Sequence, residues 1–256
     1  MRKEPIYVAF STQKGGAGKT ALTVLVASYL HYVKGYDVAV IDCDYPQHSI
    51  AEMRERDVKL ALEDDHYKRM AYEQFTRLNR KAYPVIESST EKAIDDADRI
   101  TDRAEFDIVF FDLPGTVNDP AVITALSNMD YIFAPISADR LVLESTLRYM
   151  VVINDVIEKT GVTTIKGTYL LWNMVDGREK SELYGVYEQV IAELGFKVLK
   201  TFIPNSLRFR RELLTEARKG IFRSTLFPAE RSQLKGSNID VLADEILEII
   251  KLNGNG

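Results

Sequence analysis

The segment Gln13-Lys14-Gly15-Gly16-Ala17-Gly18-Lys19-Thr20 constrains this chain more than any other. It lies between a β-forming apolar run, Ile6 to Phe10, and a helix-forming run, Ala21 to Val33. Glycines let successive backbone N–H groups converge on one point, and the start of the following helix adds its partial positive charge. Such a concave set of donors suits the oxygens of a nucleoside triphosphate. The amides of Gly15, Gly16, Ala17, Gly18, Thr20 and Ala21 would form the cradle, Lys19 would reach the β- and γ-phosphates, and the Thr20 hydroxyl would ligate Mg²⁺. An ordinary glycine-rich turn would not require the Lys-Thr pair in this strand–loop–helix setting.

Further strand-like runs follow at Asp37 to Ile41, Ile108 to Phe111, Tyr131 to Pro135, Thr168 to Trp172 and Lys197 to Ile203. Several are nearly continuous in Val, Ile, Phe and Tyr, as in strands buried on both faces. Pro84 to Glu87 is a further candidate, placed by its proline at an edge or a strand start. Helix-like stretches at Ile50 to Leu62, Tyr67 to Ala82, Thr90 to Arg103, Leu141 to Lys159, Glu182 to Leu194 and Ile239 to Leu252 alternate with them. The pattern predicts a doubly wound, mostly parallel α/β sheet with helices on both faces. A length of 256 residues with 46% hydrophobic and 28% charged residues is compatible with one such domain over residues 1–256. Glu52 to Arg103 carries no motif that attaches to chemistry.

Two acidic segments fall where open α/β sheets bind ligands, at strand C-terminal ends. In Val38-Ala39-Val40-Ile41-Asp42-Cys43-Asp44, both aspartates would share one face if the strand continued that far. Capping aspartates would look the same. Asp107-Ile108-Val109-Phe110-Phe111-Asp112 is an apolar strand ending in a carboxylate that could hold Mg²⁺ through water. Asp42 is a further candidate metal contact.

The Lys-Gly-Gly-x-Gly-Lys-Thr loop resembles the deviant Walker A loop of the ParA/MinD family of ATPases. The resemblance continues at Asp42 to Gln47, one residue longer before the proline than the family pattern, and at Asp112-Leu113-Pro114. It implies a P-loop fold that binds ATP and Mg²⁺ and dimerises on ATP binding. Lys14 would reach the phosphates bound by the other protomer, and Asp44 would position the attacking water. Asp112 would take the Walker B role, and Gly115 to Asp119 would sense the γ-phosphate. Asn173, Pro204 and Asn205 match positions beside adenine. Basic residues in the C-terminal part of ParA-like dimers bind DNA without sequence preference. Arg208, Arg210, Arg211, Arg218, Lys219 and Arg223 stand within sixteen residues here, against only Glu212 and Glu216. A solvated helix face or an internal salt-bridge set is the competing reading. Slow hydrolysis stimulated by a partner protein is implied as well. Phe111 to Thr116 together with Ala138 to Thr146 resembles the TraA proteins of Bacteroides conjugative transposons, which implies a role in maintaining or transferring a mobile element.

The lone Cys43 allows neither an intramolecular disulfide nor a cysteine-held cluster within one chain, which excludes a nitrogenase-reductase-like relative. With no apolar leader and no long apolar window, the chain reads as cytoplasmic. The acidic Asp240, Asp244, Glu245 and Glu248 oppose membrane docking by the last helix. A net charge of −5 requires any DNA binding to come from a local patch. Two other readings compete: an ATP-dependent recruitment switch that never touches DNA, and a phosphotransferase acting on a small acceptor.

Overall fold

Strands predicted as apolar runs bury both of their faces. In β1 (Ile6–Phe10) and β4 (Ile108–Asp112), Val8, Phe10, Ile108 and Phe110 point into one core, while Ala9, Val109 and Phe111 point into another on the opposite side. This period of two is what a pleated strand imposes, and apolar residues on both faces require helices on both sides. The computed structural model describes residues 4–116, 119–160, 164–177, 181–210 and 221–250. Its sheet is seven-stranded and parallel, in the order β3 (Val85–Glu87), β2 (Val38–Asp42), β4, β1, β5 (Tyr131–Ile136), β6 (Gly167–Trp172) and β7 (Lys197–Val198). Strand β3, which Pro84 precedes, lies at an edge.

Helix α1 (Lys19–Tyr29) runs from the glycine loop through the first core and continues as a π-helical turn, Leu30–Lys34, closed by Gly35 at φ 83°. Then come α2 (Ser49–Glu63), α3 (Asp65–Leu78), α4 (Ala93–Thr101), α5 (Pro120–Ser127), α6 (Arg140–Thr160), α7 (Ser181–Glu193), α8 (Arg231–Leu234) and α9 (Ile239–Ile250). Helix α5 escapes the periodicity reading because it is short. Its start is nonetheless written in Asp119, which accepts from the Ala121 amide at 2.9 Å, followed by Pro120 in the first turn.

Of the strand expected over Lys197 to Ile203, the register with β6 covers Lys197 and Val198, and the Leu199 amide still donates to the Leu170 carbonyl at 2.8 Å. Beyond them the Glu245 carboxylate of α9 accepts from the amides of Lys200 and Thr201, both at 2.8 Å. Those amides belong to the helix layer instead of the sheet. The chain rejoins β6 where the Ile203 amide donates to the Trp172 carbonyl at 2.8 Å.

The motif-free stretch also acquires a task. Helices α2 and α3 form a hairpin whose Ala61 and Tyr67 bury Ile221, Leu226 and Phe227. Asp57 of α2, fully buried, accepts from the Ser224 hydroxyl and the Thr225 amide at 2.7 Å and from the Thr225 hydroxyl at 3.0 Å. Arg56 pairs with the same carboxylate at 2.9 Å, and Arg54 binds the Thr225 hydroxyl and carbonyl, both at 2.9 Å. The segment after residue 220 is thereby strapped to α2.

Candidate functional site

Helix α1 borrows neither a side chain nor a proline to start. Its N-cap is Gly18 at φ 88°, a left-handed conformation suited to glycine, and no side chain caps its first turn. The helix start is therefore left for a ligand with negative charge. The loop before it is braced from two sides. Asn173, at the end of β6, donates from Nδ2 to the Ala17 carbonyl at 2.8 Å and accepts from the Met174 amide at 2.9 Å. A Cβ on Gly18 would lie 2.8 Å from that Nδ2, so the brace depends on glycine. From α6, the Thr146 hydroxyl meets the Thr12 hydroxyl at 2.9 Å, and Tyr149 hydrogen-bonds Ser11. Sequence reasoning did not foresee this support of the loop by α6.

Lys19 lines the cavity and its ammonium lies against Gly115. A Cβ on Gly115 would lie 2.9 Å from Lys19 Nζ, 2.9 Å from the Thr12 carbonyl oxygen and 3.2 Å from that of Gln13. Desolvation lowers the Lys19 pKa, with Asp112 and Asp44 opposing the shift. Of the expected γ-phosphate-sensing loop, Gly115, Thr116 and Asp119 are described, and Val117 and Asn118 lie outside the described residues.

The three carboxylates separate. Asp42 ends β2 and turns its oxygens toward α2, accepting from the Ile50 and Ala51 amides at 2.9 Å and from the Asp44 amide at 3.4 Å. It caps a helix, and these bonds account for it without the metal contact expected of it. Because β2 stops at Asp42, the shared face expected for Asp42 and Asp44 does not form. Asp44 stands in the following turn and lines the same cavity as Lys19 and Thr20. Asp112 ends β4, is 1% exposed, and finds no hydrogen-bond partner for either oxygen. Burial pushes its pKa up to about 7, helped by Asp42 and Asp44; the nearby Thr20 hydroxyl and Lys19 ammonium oppose the rise without meeting hydrogen-bond geometry. A buried carboxylate left this way is suited to a cation or its bound water. Among the described residues no group of three or more His, Cys, Asp and Glu is placed to hold a metal, so a cation here would draw on Thr20, Asp112 and ligand oxygens.

These elements enclose a cavity of about 550 Å³, within the usual range for ligand sites. Gly15, Gly16, Gly18, Lys19, Thr20, Ala21, Asp44 and Gly115 line one part of it, and Asn173, Met174, Pro204, Asn205 and Phe209 another. Pro204 and Asn205 are fixed by a bridge to Val175, whose carbonyl accepts from the Asn205 amide at 2.8 Å. Asn173 does line the cavity, but its amide also holds the loop, a duty absent from the expectation. Lys14 is exposed and lines a separate cleft of about 110 Å³ with Gly15, Ala17, Ser137 and Val142.

Of the basic cluster, only Arg208 and Arg223 have side chains among the described residues. Arg208 donates from Nη1 to the carbonyls of Gln233 and Lys235, each at 2.7 Å, closing the C-terminal end of α8. Arg223 turns inward and lines the large cavity. The Arg210 side chain and Arg211, Arg218 and Lys219 lie outside the described residues.

Among known proteins, residues 8–217 match the model of the CobQ/CobB/MinD/ParA nucleotide binding domain. An uncharacterised protein of Borreliella burgdorferi is 36% identical over 81 residues, a match spanning 31% of this chain and 32% of that protein. The MinD cell division protein of Aquifex aeolicus superposes with a TM-score of 0.61 at 17% identity, covering 98% of each chain. A proposed plasmid partition protein of Borrelia burgdorferi, bound to AMPPNP, gives a TM-score of 0.61 at 17% identity over 97% of this chain and 99% of that one. At these identities the two superpositions speak to the fold. No described helix is long and apolar enough to cross a membrane.

Proposed function

Since the chain belongs to the CobQ/CobB/MinD/ParA nucleotide-binding family, we propose that it is a ParA-type ATPase: ATP and Mg²⁺ close a two-fold dimer, and slow, partner-stimulated hydrolysis reopens it. The observation that carries this reading is the uncapped start of α1 beside the unpartnered, buried Asp112 carboxylate. Residues 1–256 are read as one P-loop domain.

The loop amides and Lys19 would bind the phosphate chain. Thr20 and Asp112 would hold Mg²⁺, which when bound would neutralise charge on the β- and γ-phosphates. Asp44, lining the cavity beside Lys19, would orient the attacking water. Asn173, Pro204 and Asn205 would flank the base. Lys14, exposed beside the loop, would serve the other protomer's nucleotide and make turnover depend on dimerisation.

In this reading the dimer carries its cargo on DNA, in partition or conjugative transfer of a mobile element; the resemblance to partition proteins supports it. A second reading is a recruitment switch that does not bind DNA. It is favoured by Arg208 and Arg223, whose side chains serve α8 and the cavity. Duplex DNA retention measured without nucleotide, with ADP and with Mg·ATP across a salt series, alongside light-scattering mass, separates the two. ATP-dependent dimers with salt-sensitive DNA binding are expected. ATP-dependent dimers indifferent to DNA would favour the switch. A persistent monomer would overturn both readings.

A further inference from the structure

Arg223 was grouped by sequence with residues expected to face DNA, yet it lies at the wall between two cavities. One is the large cavity, where Lys19, Asp44 and Arg223 are the charged lining residues. The other, of about 510 Å³, is lined by Thr20, Ser49, Glu52, Met53, Arg56 and Arg223. Thr20 and Arg223 are common to both, so Arg223 lies between the first turn of α1 and the α2 residues Ser49, Glu52, Met53 and Arg56.

The position is built. Phe222 and Ser224, the neighbours of Arg223, are 1% exposed, and Thr225 is fully buried. Phe222 packs edge-on against Phe209, whose residue lines the large cavity. Ser224 and Thr225 are bound to the buried Asp57 carboxylate, and the Ser224 carbonyl accepts from the Ser28 hydroxyl of α1 at 2.7 Å. A strap tied to α1 and α2 at adjacent residues fixes the backbone that carries Arg223, whose Nε is buried. Such a preorganised guanidinium loses less entropy on pairing with phosphate than a free surface arginine.

We infer that Arg223, carried on the segment that Asp57 anchors, is a ligand of the bound nucleotide's phosphate chain. The inference rests on the nucleotide-site reading above. It also gives the α2–α3 hairpin a role, because Asp57 of α2 anchors the segment that carries Arg223. Guanidinium–phosphate pairing is bidentate, and an ammonium at the same place retains charge but loses the fork geometry.

Calorimetric titration of the full chain with Mg·AMPPNP and Mg·ADP tests it, using wild type, Arg223→Ala, Arg223→Lys and Lys19→Ala. Arg223→Ala should weaken both nucleotides by about tenfold or more, the usual scale for a lost charged hydrogen bond. Arg223→Lys should recover part of the loss, which a merely structural side chain would not do. An Arg223→Ala protein binding within about twofold of wild type, or one that loses DNA retention alone, would overturn the inference. A wild type that binds neither nucleotide, like Lys19→Ala, would overturn the nucleotide-site reading itself. Thermal unfolding of nucleotide-free Arg223→Ala reports any structural loss; where it falls, the Lys variant carries the comparison, and failure of Lys to exceed Ala in affinity would overturn the proposal.

Discussion

Asp42 and Asp112 are register partners at the ends of adjacent strands, and the backbone satisfies only the first. Three amides serve Asp42, while Asp112 is held buried and raised to about pKa 7 by desolvation. A folded pKa above the unfolded one means the native state prefers the protonated acid. The carboxylate therefore costs stability progressively as pH rises from about 4 to 7, by at most about 4 kcal/mol. Asp112→Asn should raise the melting temperature of nucleotide-free protein in chelator at pH 8, with the gain shrinking toward pH 5, and should lose Mg²⁺-dependent hydrolysis. Equal melting at pH 8 would show that the buried charge is not the cost assigned to it.

Lys19 and Lys14 should fail differently, because one lines the cavity and the other is exposed beside the loop. Lys19→Ala should abolish nucleotide binding. Lys14→Ala should bind nucleotide but not turn over productively as a dimer, and wild-type hydrolysis by it would remove the role in trans. Asp44→Ala should accumulate the nucleotide-bound dimer. Undiminished turnover would pass the water-positioning role to another carboxylate.

Gly115 is required by contact distance. Its φ is ordinary, but an added methyl would sit 2.9 Å from both Lys19 Nζ and the Thr12 carbonyl oxygen. Either the lysine or the loop must move, so Gly115→Ala should fold yet lose at least about tenfold in kcat, the scale expected when a catalytic geometry is displaced by about an ångström. Circular dichroism with steady-state hydrolysis checks both halves, and full activity would mean the two loops part freely.

The sheet was legible because its strands are apolar on both faces, and the phosphate loop because few folds place three glycines, lysine and threonine between a strand and a helix. The carboxylates were legible as positions but not as roles: nothing in Asp42-Cys43-Asp44 says that β2 stops at Asp42 and sends its carboxylate to α2. Long-range polar contacts were hidden altogether. Glu245 removes two amides from an otherwise plausible strand 45 residues earlier in the chain, and Arg208 in a basic cluster proves to cap α8. Asp57 is one of many charges in α2, and only its meeting with Ser224 and Thr225 distinguishes it.

That meeting yields the sharpest stability prediction. The Asp57 carboxylate is fully buried and satisfies the Ser224 hydroxyl, the Thr225 amide and hydroxyl, and the Arg56 guanidinium. Truncation would strand the Ser224 and Thr225 donors, because the strap is also fixed by Leu226 and Phe227 in the α2–α3 core and cannot turn them to water. Asp57→Ala should cost about 2–4 kcal/mol, the scale for leaving buried donors unsatisfied. Asp57→Asn keeps one acceptor oxygen and should cost less. Urea unfolding followed by tryptophan fluorescence measures both, Trp172 lying outside the strap. A wild-type midpoint for Asp57→Ala would mean that apolar packing alone holds the strap, and Arg223 with it.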